Sequence, residues 1–226
     1  MAKASDVILV HGAWADGSSW SKVIPLLIEE GLGVTAVRLP LTSFADDMAT
    51  VRRAIALANG PLVLVGHSYG GVVISEVGTD AKVASLVYVA AFAPDAGESA
   101  GSLGASVAAA PMAAELRPDA EGFLKLTEAG VRDCFAQDLN AAEKTVLYAA
   151  QAPTSVSALG GTVSVPAWRA KPSWYLIATA DRAIQPSLQQ SMAKRLDATS
   201  IEVGSSHVAM LSHPLETASL IVQAAS

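Results

Sequence analysis

The stretch that decides the fold is LVLVGHSYGG, residues 62–71, in which Ser68 stands between Gly66 and Gly70. An apolar run precedes the serine and a second one follows the glycines, which is the pattern of a strand, a tight turn and a helix. The spacing G-x-S-x-G is typical of a nucleophile elbow, a strained turn that holds a serine at positive φ with its Oγ clear of the sheet. The flanking glycines let neighbouring chain pass closely. The motif therefore predicts nucleophilic catalysis by Ser68.

Short apolar runs alternate with helical patterns on both sides of this motif. This β–α–β order predicts the α/β class, with a mostly parallel sheet flanked by helices. The alternation stops in an alanine-, glycine- and proline-rich stretch without a convincing strand, so we expect residues 1–93 and 173–226 to form the core and residues 94–172 a helical cap insertion, with helices near 120–129 and 141–151. The predicted strands are 7–10, 33–38, 62–65, 83–91, 174–179 and 200–203, and the predicted core helices are 19–30, 46–58, 71–77, 187–196 and 215–225.

Composition narrows the class of protein and its partners. The chain has 226 residues, of which 51% are hydrophobic and 16% charged, and this balance favours a sheet buried on both faces. The net charge of −6 argues against nucleic acid and anionic membranes as partners. A single cysteine, Cys134, permits no internal disulfide and fits a reducing compartment. These features predict a soluble, cytoplasmic protein; they leave its oligomeric state open.

A nucleophilic serine needs a base, and four histidines are candidates. His207 directly follows the last predicted strand, where the chain order Ser…Asp…His requires the base. His67 adjoins Ser68, but elbow geometry directs its side chain away from the reacting face. His11 ends the first strand and is expected to fix a loop by hydrogen bonding, and His213 is expected at the surface.

The acid that orients the base has two candidates. Asp181 follows the strand before the last one, and Asp95 follows the strand before that. We favour Asp181, because the carboxyl ends of neighbouring parallel strands meet at one edge of the sheet. Asp95 remains the alternative, whereas Asp197 follows a helix and is disfavoured by its position.

Two backbone N–H groups are expected to form an oxyanion hole. One belongs to Tyr69, which opens the helix after the nucleophile and has a free N–H. The other belongs to Ala13, in the loop after the first strand, where Gly12 lets the backbone turn toward the serine. Trp14, in the same loop, is a candidate for contact with substrate, although an aromatic residue near a helix start more often belongs to the core.

The remaining motifs indicate no cofactor. Neither glycine cluster matches a phosphate-binding loop or a dinucleotide fingerprint, and no group of histidine, cysteine and acidic residues has the spacing of a metal site. We therefore expect no metal and no cofactor.

The chain resembles the α/β-hydrolase superfamily, and within it a branch of small cofactor-free enzymes that includes plant methylesterases, hydroxynitrile lyases and related bacterial esterases. This resemblance implies the roles given above for Ser68, His207, Asp181, Ala13 and Tyr69. It implies a cap at the position of residues 94–172. The segments that carry it are ILVHGAW (8–14), LVGHSYGG (64–71), TADRAI (179–184) and SHVAML (206–211).

Two differences between this chain and the hydroxynitrile lyases bear on the reaction that it catalyses. Hydroxynitrile lyases of this branch have a lysine after the base histidine and a threonine in the first loop, whereas this chain has Val208 and Gly12. We therefore predict a carboxylesterase that acts on a small, largely hydrophobic ester. A cofactor-free lyase, perhydrolase or oxygenase on the same fold, and a ligand-binding receptor of hydrolase ancestry, are the alternatives.

Overall fold

The computed structural model describes residues 3–226, so two residues of the predicted core, Met1 and Ala2, lie outside the described part. The strands in residues 3–226 divide into a six-stranded sheet and a three-stranded sheet. They are β1 (Asp6–Val10), β2 (Gly33–Ala36), β3 (Leu62–His67), β4 (Val83–Val89), β5 (Leu116–Pro118), β6 (Phe123–Leu126), β7 (Thr154–Ser155), β8 (Ser173–Ala178) and β9 (Thr199–Val203).

The larger sheet has the order β2-β1-β3-β4-β8-β9, and every pair of neighbouring strands in it is parallel. Central strand β3 is buried at all of its residues. Burial on both faces is what the apolar runs of the sequence require, because helices cover each face of such a sheet. The predicted α/β fold with a mostly parallel sheet is confirmed.

Helices connect the strands of the main sheet and cover it, and others lie in the region between β4 and β8. Local sequence signals determine where two of these helices begin. Ser43 Oγ accepts a hydrogen bond from Asp46 N at 3.1 Å and caps α2, while Pro186 opens α8. The helices are α1 (Ile24–Glu29), α2 (Phe44–Leu57), α3 (Gly70–Val77), α4 (Ala100–Ala105), α5 (Glu128–Gly130), α6 (Ala141–Ala150), α7 (Val156–Leu159), α8 (Pro186–Arg195), α9 (Ala209–Ser212) and α10 (Pro214–Ala224).

The first predicted helix, 19–30, is divided in the structure. A 3-10 turn over Gly17–Trp20 precedes α1, which carries a proline in its first turn. Pro25 has no N–H to donate to a carbonyl in the preceding turn, so a helix cannot run through it. The α-helix therefore begins at Ile24, with Pro25 in its first turn.

The insertion is not purely helical, and the expectation that it has no strand is wrong. Strands β5, β6 and β7 form a small antiparallel sheet, and β6 occupies the middle of the predicted helix near 120–129. Asp119 Oδ1 accepts from the N–H groups of Glu121 and Phe123, and Gly122 has φ 80°, so the chain makes a turn there. The other predicted helix, near 141–151, is present as α6.

Strand order brings several loops to one place. Because β1 lies between β2 and β3, the chain leaves β1 and β3 in opposite directions along the sheet. In α/β sheets a crevice opens at the carboxyl ends of two such strands and commonly binds a ligand. Ala13 follows β1 here and Ser68 follows β3. Among residues 3–226, no helix has the length and apolar character needed to cross a bilayer.

Candidate active site

Ser68 occupies a strained turn between β3 and α3. Its φ is 53°, in the left-handed region that non-glycine residues seldom adopt, as the elbow motif predicts. Its relative exposure is 5%, and it lines a cavity of about 120 Å³. The strained backbone and the cavity together are the setting expected of a nucleophile.

Glycines allow this turn to contact its neighbours by backbone alone. A Cβ at Gly66 would lie 2.7 Å from the Gly70 carbonyl oxygen, and a Cβ at Gly70 would lie 2.5 Å from that of Val10. Real Cβ contacts are longer than this, so a side chain at Gly66 would force β3 away from the start of α3, and one at Gly70 would force the turn away from the end of β1. A Cβ at Gly12 would lie 2.6 Å from Ser68 Cβ. The threonine that hydroxynitrile lyases have at that position therefore does not fit this arrangement.

His207 and Asp181 meet at the same edge of the sheet, after β9 and β8. His207 Nδ1 and Asp181 Oδ2 are 2.7 Å apart, and both side chains are buried. Asp181 accepts three further hydrogen bonds, from Ala183 N, Ile184 N and Gln189 Nε2. A carboxylate can only accept hydrogen bonds, so His207 Nδ1 must carry the proton that it shares with Asp181. In the neutral ring Nε2 then carries the lone pair.

Gln189 of α8 holds the carboxylate in place, a contact that the sequence analysis did not anticipate. Its Oε1 accepts from Ala178 N at 3.0 Å, which identifies the amide oxygen. Its Nε2 donates to Asp181 Oδ2 at 2.7 Å and to Ile184 O at 3.0 Å. Because every polar atom of this fully buried amide has a partner, its orientation is fixed.

Asp95, the alternative acid, lies elsewhere. Both of its carboxylate oxygens bind the guanidinium of Arg169, at 2.7 and 2.6 Å, and its side chain is one-quarter exposed. The hydrogen bond to Arg169 lowers the pKa of the Asp95 carboxyl. The structure thus pairs Asp181 with His207 and gives Asp95 a surface ion pair.

Ser68 and His207 line the same cavity without a hydrogen bond between them. His207 Nε2 is buried and has no partner among residues 3–226. Catalytic hydrogen bonds are often long before substrate binds and tighten afterwards. The free lone pair of Nε2 is the acceptor that a serine proton would need.

Ala13 and Tyr69 line the cavity as well. Within residues 3–226 neither backbone N–H donates to another protein group. His11 fixes the loop that carries Ala13, since Nδ1 donates to Gly12 O at 2.8 Å and Nε2 accepts from Leu39 N at 2.9 Å. Burial lowers the pKa of His11, so the ring stays neutral and keeps this pair of bonds.

Trp14 joins the loop after β1 to the small sheet of the insertion. Its Nε1 donates to Leu124 O at 2.9 Å and its backbone N to Thr154 Oγ1 at 3.1 Å. The ring is largely buried but still forms part of the cavity wall. Trp14 thus has a packing role and also faces the space beside Ser68.

His67 binds the backbone of His207, a contact that nothing in the sequence predicts. Its Nε2 donates to the His207 carbonyl oxygen at 2.9 Å, and the two ring centroids are 4.7 Å apart. Burial and the neighbouring His207 hold the pKa of His67 well below its usual value. The ring is therefore neutral and fixes the loop that carries His207. The fourth histidine, His213, is half-buried and next to Ser212.

Tyr69 has a second, unexpected contact on its side chain. Its hydroxyl donates to Asp47 Oδ2 at 2.8 Å, and Leu41 N donates to Asp47 Oδ1 at 2.8 Å. Asp47 is fully buried, and burial raises its pKa from 3.8 to about 6. This bond ties the residue after Ser68 to α2 and so fixes the direction of the Tyr69 backbone.

The raised pKa gives Asp47 a measurable effect on stability. The folded protein binds this proton more tightly than the unfolded chain, so the Asp47 contribution to the free energy of unfolding falls as the pH rises from about 4 to about 6. The Asp47→Asn variant lacks this titrating group, so its stability does not fall in this way as the pH rises. Urea unfolding is therefore expected to show the variant gaining on the wild type between pH 4 and pH 7, by about 1.4 kcal/mol for each unit of pKa shift.

Asp46→Asn is the matched control for this measurement. Asp46 is the exposed neighbour, and its hydrogen bonds from Ser43 and Thr42 lower its pKa. Asp46 contributes to stability at neutral pH, and this contribution is lost as the pH falls. The free energy of unfolding of Asp46→Asn should therefore decrease relative to that of the wild type as the pH rises toward 7. A difference between Asp47→Asn and wild type that stays constant from pH 4 to pH 7 would contradict the assignment.

No group of three or more histidine, cysteine or acidic residues within 3–226 is placed to hold a metal ion. Ser68 and His207, the latter paired with the Asp181 carboxylate, line the cavity together with Ala13 and Tyr69, whose backbone N–H groups have no acceptor within residues 3–226. This set can perform nucleophilic acyl transfer.

Comparison with known proteins agrees with the fold. The model of a family described as alpha/beta hydrolase matches residues 7–220. The alpha/beta hydrolase nvfD of Aspergillus novofumigatus is 30% identical over 218 residues, covering 84% of this chain and 83% of that protein. A pyrethroid hydrolase of Sphingobium wenxiniae is 36% identical over 100 residues, 38% of this chain and 36% of the relative.

Solved structures extend the likeness over the whole length of the chain. Polyneuridine aldehyde esterase superposes with a TM-score of 0.86 at 20% identity, over 99% of this chain and 100% of that one. A pyrethroid hydrolase from Sphingobium faniae has a TM-score of 0.85 at 25% identity, over 98% and 97% of the two chains. With the family model matched from the first strand to the last helix, this chain belongs to the alpha/beta hydrolase family.

Proposed function

We propose that the protein is a serine carboxylesterase with Ser68 as nucleophile, His207 as base and Asp181 as the residue that orients the base. One observation carries the proposal: Ser68, at positive φ, shares a cavity with a histidine whose other nitrogen is bound to a buried carboxylate. Relatives named pyrethroid hydrolase, methylesterase 8 and carbendazim hydrolyzing esterase support an ester as the class of substrate.

In the first half-reaction Ser68 Oγ attacks the ester carbonyl carbon while its proton passes to His207 Nε2. Asp181 faces the imidazolium that forms and stabilises it. The tetrahedral intermediate then collapses, and the bond to the alcohol oxygen breaks. His207 returns the proton to that oxygen, the alcohol leaves, and the acyl group remains on Ser68.

In the second half-reaction water takes the place of the alcohol. His207 accepts a proton from the water as its oxygen attacks the acyl carbon, and the collapse of this intermediate returns the proton to Ser68 Oγ. The carboxylic acid leaves and the free enzyme is restored. Every proton transfer in the cycle passes through His207, and the proton that leaves with the alcohol is replaced by one from water.

The Ala13 and Tyr69 N–H groups would bind the oxyanion in both steps. Donors of this kind that are fixed in advance cost no reorganisation during the reaction, and each is worth roughly 10²- to 10³-fold in rate. The bonds from His11 to the first loop and from Asp47 to Tyr69 provide that fixation here.

The cavity supports a small, largely hydrophobic ester. Ser68 and His207 provide the reactive groups of its wall, and apolar or small residues make up the rest of the lining. We assign Trp14 to substrate contact on its place in that wall. The residues concerned are Ala13, Trp14, Tyr69, Phe92, Ala100, Gly101, Met112, Leu159, Ala183 and Ile184.

A fluorophosphonate probe tests this function directly. It reacts with activated serines, so we expect one adduct, mapped by peptide mass spectrometry to the peptide that contains Ser68, together with hydrolysis of p-nitrophenyl acetate. Pre-treatment with the probe should abolish the hydrolysis. An adduct on another serine, or hydrolysis that survives complete labelling, would contradict the mechanism. Labelling of Ser68 without hydrolysis of any ester would favour the receptor or lyase alternatives.

A further inference from the structure

A second apolar hollow of about 190 Å³ adjoins the cavity of Ser68, and we call it the outer hollow. Its wall includes Gly104, Val107, Ala108, Met112 and Leu188. We propose that the outer hollow binds the alcohol part of the ester, and that the preferred substrates are uncharged esters with a small acyl part and an extended apolar alcohol part. The inference rests on the proposed esterase function and specifies its substrate class.

The two spaces are continuous in their lining. Phe92, Met112, Ala183 and Ile184 belong to the walls of both. Met112 is largely buried and is held by its backbone N–H, which donates to Arg182 O at 3.0 Å. A methionine side chain is unbranched and flexible, so it can yield to a chain that passes from one space to the other.

The cavity of Ser68 alone is too small to hold a large ester. Its volume of about 120 Å³ is below the roughly 300–1,000 Å³ of sites that enclose drug-sized ligands. The outer hollow adds the larger share of the available space. A substrate with one small and one extended part fills both.

The chemistry of the wall selects an apolar, uncharged occupant. Among the described residues that line the outer hollow, none carries a charged side chain, and the amide of Gln185 donates to Ala108 O at 3.4 Å. An ionised group placed there would lose its hydration without a partner, whereas an alkyl chain would gain by leaving water.

The position of the outer hollow assigns it to the alcohol part. His207 gives its proton to the alcohol oxygen, so the alcohol part lies on the side of His207 and Asp181. The loop directly after Asp181 supplies Ala183 and Ile184 to the outer hollow, and the first turn of α8, which follows that loop, supplies Leu188. Ala13 and Tyr69, which would hold the carbonyl oxygen, line the cavity of Ser68 and not the outer hollow.

Acetate esters of linear alcohols test the proposal, with release of acetic acid followed by titration at constant pH. Burial of each CH₂ is worth roughly a fourfold gain, so kcat/KM of the wild type for hexyl acetate should exceed that for ethyl acetate by about tenfold or more. Methyl esters of linear acids, in which the acyl part grows instead, should show no such gain.

Gly104→Leu fills the outer hollow. A Cβ at Gly104 meets no heavy atom within 4 Å, and leucine is a better helix former than glycine in α4. We expect the ratio of kcat/KM for hexyl to ethyl acetate to fall at least about fivefold, the loss of slightly more than one buried CH₂. Ala108→Leu fills the same space from an exposed position and should lower the ratio likewise. Ala105→Leu, on the same helix but lining neither space, should leave the ratio unchanged.

The outcomes separate this proposal from the esterase function. A protein that hydrolyses ethyl acetate with no gain for hexyl acetate, or one whose ratio survives both Gly104→Leu and Ala108→Leu, is an esterase that does not use the outer hollow. A gain confined to the methyl ester series and lost in Gly104→Leu overturns the alcohol assignment. Failure to hydrolyse any ester of either series overturns the proposed function itself.

Discussion

Ser68→Ala is expected to lower kcat/KM for ester hydrolysis by roughly 10⁴- to 10⁶-fold, since removal of a nucleophile leaves only binding and oxyanion stabilisation. Its side chain lies at the wall of a cavity, so the free energy of unfolding should change by less than about 1 kcal/mol. Steady-state kinetics with p-nitrophenyl acetate and urea unfolding measure the two effects separately.

Ser106→Ala is the control for that variant. Ser106 is exposed, lies next to α4 and lines neither the cavity nor the outer hollow, so the activity and the labelling of Ser68 should both be retained. A folded Ser68→Ala protein with activity within tenfold of the wild type would remove Ser68 from the mechanism.

Asp181→Asn is expected to reduce kcat/KM by about 10⁴-fold, the loss measured for the equivalent change in another serine-histidine-aspartate triad. The network explains why. If the amide oxygen stays with the N–H groups of Ala183 and Ile184, the NH₂ group faces two donors, Gln189 Nε2 and His207 Nδ1. Relief of that conflict puts the proton of His207 on Nε2, where the ring can no longer accept one from Ser68.

Asp95→Asn supplies the comparison with the other candidate acid. Its partner is Arg169, exposed at the surface, and ion pairs of that kind contribute at most about 1 kcal/mol. Ester hydrolysis by this variant should stay within a factor of about three of the wild type. If Asp95→Asn were the damaging change and Asp181→Asn were close to wild type, the acid would be misassigned while Ser68 and His207 kept their roles.

Most of the core was predictable because its sequence is locally consistent. The strand just before Ser68 contains an uninterrupted apolar run closed by glycine, and the strand before Asp181 is also mostly apolar. The strand before His207 has fewer apolar residues and alternates Ile201 and Val203 with polar ones. Parallel strands place the residues that follow them at one edge. The bond between His207 and Asp181 is thus an arrangement that chain order alone suggested.

The supporting contacts could not be predicted in this way. Asp47 has the sequence appearance of a second acidic residue in the first turn of a helix, and nothing nearby in the chain indicates that it meets Tyr69. Gln189 likewise has the appearance of a polar surface position on α8, yet it is fully buried beside Asp181. Such pairs depend on how helices are rotated about their axes when they dock, and hydrophobic periodicity defines that rotation only coarsely.

The insertion was the least predictable part for a different reason. Strands of three, four and two residues are too short to show an alternating pattern, and β5 contains a proline, which a sheet tolerates at its edge. Alanine-rich sequence around them favours helix by intrinsic propensity. The turn at Asp119 and Gly122, together with pairing across the sheet, outweighs that propensity.

The glycine contacts around the elbow have a consequence for the evolution of such a protein. The turn that carries Ser68 is held by backbone against backbone, so selection must reject almost any side chain at Gly66 or Gly70. Much of the wall of the outer hollow comes instead from α4 and the chain after it, and at Gly104 an added side chain meets open space. Successive mutations can therefore reshape the wall of the outer hollow while every intermediate keeps the strained turn at Ser68.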